Sequence, residues 1–297
     1  GNEATARGVY EAGIKICSAY PGTPSTEILE NLPPYQKDVY CEWAPNEKVA
    51  LEVAAGAAVT GVRSLVTMKH VGLNVAADPL MTLSYIGIVG GMVVIVADDP
   101  GMHSSQTEQD TRHYGRLAKL PVLEPGSARE AVQFMKEAFE ISEKFRCPVI
   151  LRSTTSVSHS RALVETGERL PAAEAKFERN PPQFVPIPVW GRKLRAKVEE
   201  RIAAQAAEAA GSGLNRIFEG DGGHGLGIIS GGIAALHCRD IFPEADILKL
   251  GWAWPFPDEL IRRFAATVKR VVVIEEADPI LEEHVKSLGI ACDGKNL

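Results

Sequence analysis

From residue 3 to about residue 155, short β-branched runs alternate with longer helical stretches, and this alternation limits the fold more than any other feature. Strand, crossover helix and strand in repetition specify a parallel sheet with helices on both faces, a doubly wound α/β fold. The strand candidates are IKICSA (14–19), DVYCE (38–42), RSLVTM (63–68), MVVIVA (92–97), LPVLE (120–124) and CPVILR (147–152). After residue 160 the pattern lapses into the proline-rich PPQFVPIP and a charged, alanine-rich helix that ends at Gly211. Beyond residue 226 a smaller alternation resumes, with LGIIS, DILKL and RVVVIEE as its strands. The expected division is residues 1–160, a linker over 161–214, and a second, smaller α/β domain over 215–297. A chain of 297 residues is long enough for two cores.

In a doubly wound sheet ligands bind outside the carboxyl ends of the strands. Three loops there carry polar or glycine-bearing sequence: YPGTPS after the first run, KHVGLN after the third and DDPGMHSSQ after the fourth. In the first, glycine allows close backbone approach, and Thr23 or Ser25 is placed either to cap the next helix or to face a ligand. The third opens a polar stretch with two histidines and no clear helical stripe, read as a long irregular loop or a solvated excursion.

The helix NEKVALEVAAGAAVTG holds two glutamates in different settings. Glu52 follows Lys48 by one turn and reads as an ordinary ion pair. Glu47 instead heads a stripe of Ala50, Leu51, Ala54 and Ala58, where burial favours the protonated carboxyl. Its first-turn position opposes that, because the helix dipole favours the charged form, and acidic residues are common at helix starts.

Several classes are disfavoured. Net charge is −6 with no basic block, so nothing neutralises phosphates and nucleic acid is not an expected partner. The most apolar run, residues 86–97, is shorter than the roughly 18 residues of a membrane span, and no membrane partner is expected. Five scattered cysteines without C-x-x-C spacing fit a reducing cytoplasm rather than a zinc or iron–sulfur site. The glycine run GDGGHGLG precedes a strand, whereas a phosphate loop follows one. Walker, G-x-S-x-G and H-E-x-x-H motifs are absent from the sequence.

AYPGTPSTEILENL, then EWAPNEKVALEVAAGAAVTGVRSLVTMKHVGLNVAADPLM, then ADDPGMHSSQTEQDTRHYGR together resemble the alpha subunits of indolepyruvate ferredoxin oxidoreductases. These are a branch of the thiamine-diphosphate-dependent 2-oxoacid:ferredoxin oxidoreductases. The likeness continues through GLGIISGGIAA, DILKLGWAWPFPDELI and VVVIEE, which resemble the transketolase-C-like domain that follows in that family. It implies a thiamine-diphosphate pyrimidine-binding fold over 1–160 and makes Glu47 the match for the glutamate on the aminopyrimidine ring. Gly72 and Asn74 are implied cofactor contacts, and Thr23 and His70 lie on the substrate side. Arg112 or Arg116 is a candidate clamp for a substrate carboxylate.

The implied reaction is oxidative decarboxylation of an arylpyruvate to an acyl-coenzyme A, with ferredoxin reduced through iron–sulfur clusters elsewhere in the complex. The family's diphosphate site, G-D-G followed by an asparagine that together hold magnesium, has no counterpart in order here. Gly220-Asp221-Gly222 lies in the second domain, and the only later asparagine is Asn296. A partner domain or subunit is therefore expected to hold the diphosphate and Mg2+, in a homo- or hetero-oligomer, the chain being either a fragment or one subunit. Alternatives are a relative acting on pyruvate, 2-oxoglutarate or branched-chain acids, and an interaction module that kept the fold without catalysis.

Overall fold

The structure, a computed structural model, describes residues 1–295. Its eleven strands in these residues are β1 (Ile16–Ala19), β2 (Tyr40–Trp43), β3 (Ser64–Lys69), β4 (Met92–Asp98), β5 (Val122–Leu123), β6 (Val149–Thr154), β7 (Arg216–Phe218), β8 (Leu226–Gly231), β9 (Asp246–Leu250), β10 (Trp252–Trp254) and β11 (Arg270–Ile274). Seven form one sheet in the order β10-β5-β6-β4-β3-β1-β2, parallel except for β10. The other four form a second sheet, β11-β8-β9-β7, with β7 antiparallel.

Strand alternation assigns the two faces of the large sheet. Cys17, Leu65, Val93, Ile95 and Leu151 pack under the helices Asn2–Glu11 and Ala128–Phe145. Val66, Met68, Val94, Val96 and Ile150 pack under the helices Glu47–Val59 and Ala77–Ile86. Both faces are buried, which is why these strands are near-continuous apolar runs rather than alternating ones.

Four local expectations are corrected. KHVGLN is not a loop: His70–Val75 is a short helix, immediately followed by Ala77–Ile86. The polar stretch after β4 regains helix at Arg112–Ala118. Lys48 does not pair with Glu52; its ammonium reaches Asp78 at 2.9 Å, on the neighbouring helix. Neither Thr23 nor Ser25 caps the helix Thr26–Glu30: Ser25 Oγ donates back to the Gly22 carbonyl at 2.7 Å, and no side chain caps that end.

The second sheet has its own core, Ile229, Leu248, Phe256, Phe264 and Val273 among others. It shares chain with the first, because Trp252–Trp254 follows β9 by one residue yet pairs with β5. Trp252 is buried in the first core, and its backbone N–H donates to Asn215 Oδ1 at 2.9 Å. No helix among the described residues is long and apolar enough to cross a membrane.

Candidate functional site

Order β2-β1-β3 means that the chain leaves β1 in one direction and returns past it to β3, so the topological switch point lies between β1 and β3. At the carboxyl ends of those strands lie the Tyr20–Ser25 turn and the helix His70–Val75. The crossover helix Glu47–Val59 packs over both strands, which brings its amino terminus to the same edge. Asn46 caps that terminus, its side chain accepting from the Val49 N–H at 3.0 Å.

Glu47 is 8% exposed, and Ala50, Leu51, Ala54 and Ala58 below it are fully buried. Among the described residues no hydrogen bond or ion pair reaches its carboxyl. Gly72 approaches it closely: a Cβ there would sit 2.4 Å from Glu47 Oε1 and 2.5 Å from Cγ. Only glycine leaves the carboxyl its place. The two residues share no sequence periodicity, and the tertiary fold alone joins them.

His70, 1% exposed, begins the short helix. Its Nε2 lies 3.0 Å from the Thr107 carbonyl, and its Nδ1 is buried without a partner. Asn74 donates to Gln109 Oε1 at 3.0 Å and accepts from the Tyr114 hydroxyl at 2.6 Å. Lys69 donates to the Ser104 carbonyl at 3.1 Å, and Gly22 packs closely on the Lys69 side chain. Thus the turn after β1, the helix after β3 and the loop after β4 are stitched together. Thr23 is exposed on that turn, and the Thr23–Pro24 peptide is cis.

Neither arginine singled out as a carboxylate clamp stands ready for one. Arg112 is buried and its guanidinium is fully engaged: Asp110 at 2.6 Å, Glu275 at 2.6 Å, and the carbonyls of Glu276 and Asp278 at 2.9 and 3.0 Å. Arg116 is exposed in the last turn of Arg112–Ala118, away from the end at which that helix meets the loop.

The sequence reading passed over a buried ionic cluster behind the site. Arg152 of β6 is fully buried, 2.6 Å from Asp98 at the end of β4, and also bonds Glu124. Burial pushes the Asp98 carboxyl up despite the charge of Arg152. For Asp110, burial is outweighed by Arg152 and Arg112, which hold its carboxyl well below the usual range. Asp99 is similarly held low: desolvation is overcome by hydrogen bonds from Ser105, Thr155 and the Ser104 N–H. An arginine inside the apolar run CPVILR was the available signal, because a charge in a buried strand requires an internal partner.

The Gly220-Asp221-Gly222 segment is tied by its amides to Asp246, Pro243 and Glu244 at 2.9–3.2 Å, in the turn before β9. Asn296 lies outside the described residues. Among the described residues no group of three or more His, Cys, Asp or Glu side chains is placed to hold a metal.

A partnerless carboxyl at the switch point, a glycine cradle against it and, on that glycine's short helix, an unpaired imidazole nitrogen are donor and acceptor groups of the kind that fit an aromatic heterocycle with both donor and acceptor nitrogens. Thiamine diphosphate carries one in its aminopyrimidine. Among solved structures, the 2-oxoglutarate:ferredoxin oxidoreductase of Magnetococcus marinus is similar over 99% of this chain and 60% of its own, with a TM-score of 0.75 at 16% identity. A split-gene transketolase matches over 98% of this chain and 87% of its own, with a TM-score of 0.65 at 17% identity. Both likenesses are of fold. In sequence, the indolepyruvate oxidoreductase subunit IorA of Methanothermobacter thermautotrophicus is 48% identical over 292 residues, 96% of this chain and 47% of that one. The chain thus spans about half the length of that curated relative. Residues 7–203 match the family model described as pyruvate flavodoxin/ferredoxin oxidoreductase, thiamine-diphosphate-binding, and the chain belongs to that family.

Proposed function

We propose that this chain supplies the pyrimidine side of a thiamine diphosphate site in an indolepyruvate-type 2-oxoacid:ferredoxin oxidoreductase. The observation that carries the reading is the Glu47 carboxyl, buried to 8% exposure, without a protein partner and pressed against Gly72. Thiamine diphosphate, when bound, supplies a carbon nucleophile for the keto carbon of a 2-oxoacid and retains the electron pair left by decarboxylation. The role of Glu47 is to hold a proton at Oε1 or Oε2 in hydrogen-bond contact with a ring nitrogen, which shifts acidity toward the opposite side of the ring. In this reading Gly72 leaves the carboxyl its room, His70 and Asn74 contact the ligand from the same short helix, and the exposed Thr23 hydroxyl contacts it from the turn after β1.

Around this edge Tyr20, Trp43, Val71, Val75 and Met102 are all exposed by more than a third. An apolar rim on the open side of a polar site suits a surface that another protein domain covers. A diphosphate- and Mg2+-holding domain placed there would exclude water and complete the site. Iron–sulfur centres, ferredoxin and coenzyme A belong to the remainder of that assembly.

The experiment is Glu47→Gln in the complete assembly, followed by hydrogen–deuterium exchange at the thiazolium carbon of bound cofactor. Exchange should slow by about 100-fold or more, with the melting temperature within a few degrees of wild type. Wild-type exchange in a folded variant would refute the assignment. Turnover compared across indolepyruvate, pyruvate and 2-oxoglutarate then fixes the substrate class.

A further inference from the structure

The loop between β4 and the helix Arg112–Ala118, residues 99–111, touches the site and the second sheet at once. On the site side it is held through the Thr107 carbonyl to His70, Gln109 to Asn74, and the Ser104 carbonyl to Lys69. A carbonyl oxygen only accepts, so His70 Nε2 is the donor of that bond and carries the ring proton. Nδ1 is the other ring nitrogen, the lone-pair atom of an Nε2-protonated tautomer, and it is the atom left buried and unpartnered. Burying an acceptor without a partner is costly, and a ligand N–H or O–H would relieve it.

On the other side the loop ends in a clasp. Asp110 receives Nε and Nη2 of Arg112, at 3.0 and 2.6 Å, and the Asp278 N–H at 3.2 Å. Arg112 Nη1 donates to Glu275 Oε2 at 2.6 Å, just past the end of β11. Glu275 is itself held by the N–H groups of Leu281 and Glu282, at 3.0 and 2.9 Å, at the start of the helix Ile280–Ser287. Glu275 lies 163 positions from Arg112 in the chain, and every polar atom of the pair is used.

We propose that Glu275 and Arg112 are positioning residues for the site: their clasp holds loop 99–111 so that the Thr107 carbonyl fixes His70 as the Nε2-protonated tautomer, with Nδ1 presented as an acceptor for a ligand N–H or O–H. The second sheet therefore takes part in setting the site without touching what binds there. This rests on the site assignment above.

A double-mutant cycle in the assembled enzyme tests it, using Glu275→Gln, His70→Gln and both together. Glu275→Gln removes the charge that holds Arg112 and one of the two oxygens that accept from the Leu281 and Glu282 amides, so one of those backbone bonds is kept. Turnover should fall by about tenfold in wild-type background and by less than about twofold when His70 is already Gln, because coupled residues are non-additive. Thiamine diphosphate affinity should change little. A merely structural effect would reduce turnover by the same factor in both backgrounds and would overturn the proposal, as would unchanged turnover in Glu275→Gln. If Glu275→Gln fails to fold, Arg112→Lys takes its place in the cycle, keeping charge and losing the fork. Ring-15N histidine spectra supply a readout independent of the cofactor: Nε2-protonated His70 is expected, and an Nδ1-protonated ring overturns the proposal. If thiamine diphosphate fails to bind wild type, the assignment of the site falls while the tautomer still decides this one.

Discussion

Replacing Gly72 by alanine separates site geometry from stability. The added Cβ would lie 2.4 Å from Glu47 Oε1, 2.5 Å from Cγ and 2.7 Å from Cδ, about 1 Å inside ordinary contact. Those atoms are the far end of one side chain, so the carboxyl can recede while the backbone stays in place. In energy, overpacking costs about 1–3 kcal/mol, while removing a glycine from a helix returns about 1 kcal/mol. The net loss is at most about 2 kcal/mol, a fall in Tm of no more than about 8 °C. Function should suffer more, because displacing a catalytic group by an ångström costs on the order of 100-fold in rate. Thermal melting of the chain, with thiamine diphosphate binding and turnover in the assembly, measures both. A variant that melts within 8 °C of wild type yet turns over normally would show that the Glu47–Gly72 contact is packing and not part of a site.

Arg152→Met should be far more destabilising than any site variant, by about 3–5 kcal/mol, since it leaves Asp98 and Glu124 buried without their cation; equilibrium denaturation measures it. Asp99 has a depressed folded pKa, so its contribution is present above the ordinary aspartate range and is lost as pH falls through its folded value. Asp99→Asn should therefore lower stability at neutral pH by about 1–3 kcal/mol and flatten the acid limb of the Tm–pH curve; an unchanged acid limb would count against it. Glu275 and Glu276 run the other way: burial raises both, so their effect on stability worsens as pH rises through their folded values. Glu276→Gln should accordingly raise Tm at pH above the folded value of that carboxyl and leave it little changed below, as a scan from acid to alkaline pH would show.

How much of this was legible in advance varies residue by residue. The buried setting of Glu47 was legible because a helix repeats every 3.6 residues, and a carboxylate heading Ala50, Leu51, Ala54 and Ala58 shows in any helical projection. The parallel strands were legible for a related reason, since buried strands are short and β-branched. KHVGLN does not read as a helix because Gly72 and the β-branched Val71 lower helix propensity, yet His70–Val75 is helical, with Gly72 packed closely on Glu47. Lys48 was misassigned because Asp78, 30 positions away, competes with the local Glu52 and wins through tertiary proximity.

The sequence by itself determined the fold class, the strand runs and the setting of Glu47 at the head of an apolar helical stripe, because hydrophobic periodicity is a local property that repeats; the order of strands in the sheet, and with it the switch point, was decided by the tertiary structure. Tertiary structure alone decided which residues meet: Gly72 against Glu47, Arg152 among its carboxylates, Arg112 with Glu275, and Trp252–Trp254 on the edge of the first sheet. Each of those pairs joins positions between 25 and 163 apart or crosses between sheets, and each depends on burial or charge neutralisation that exists only once the chain is closed.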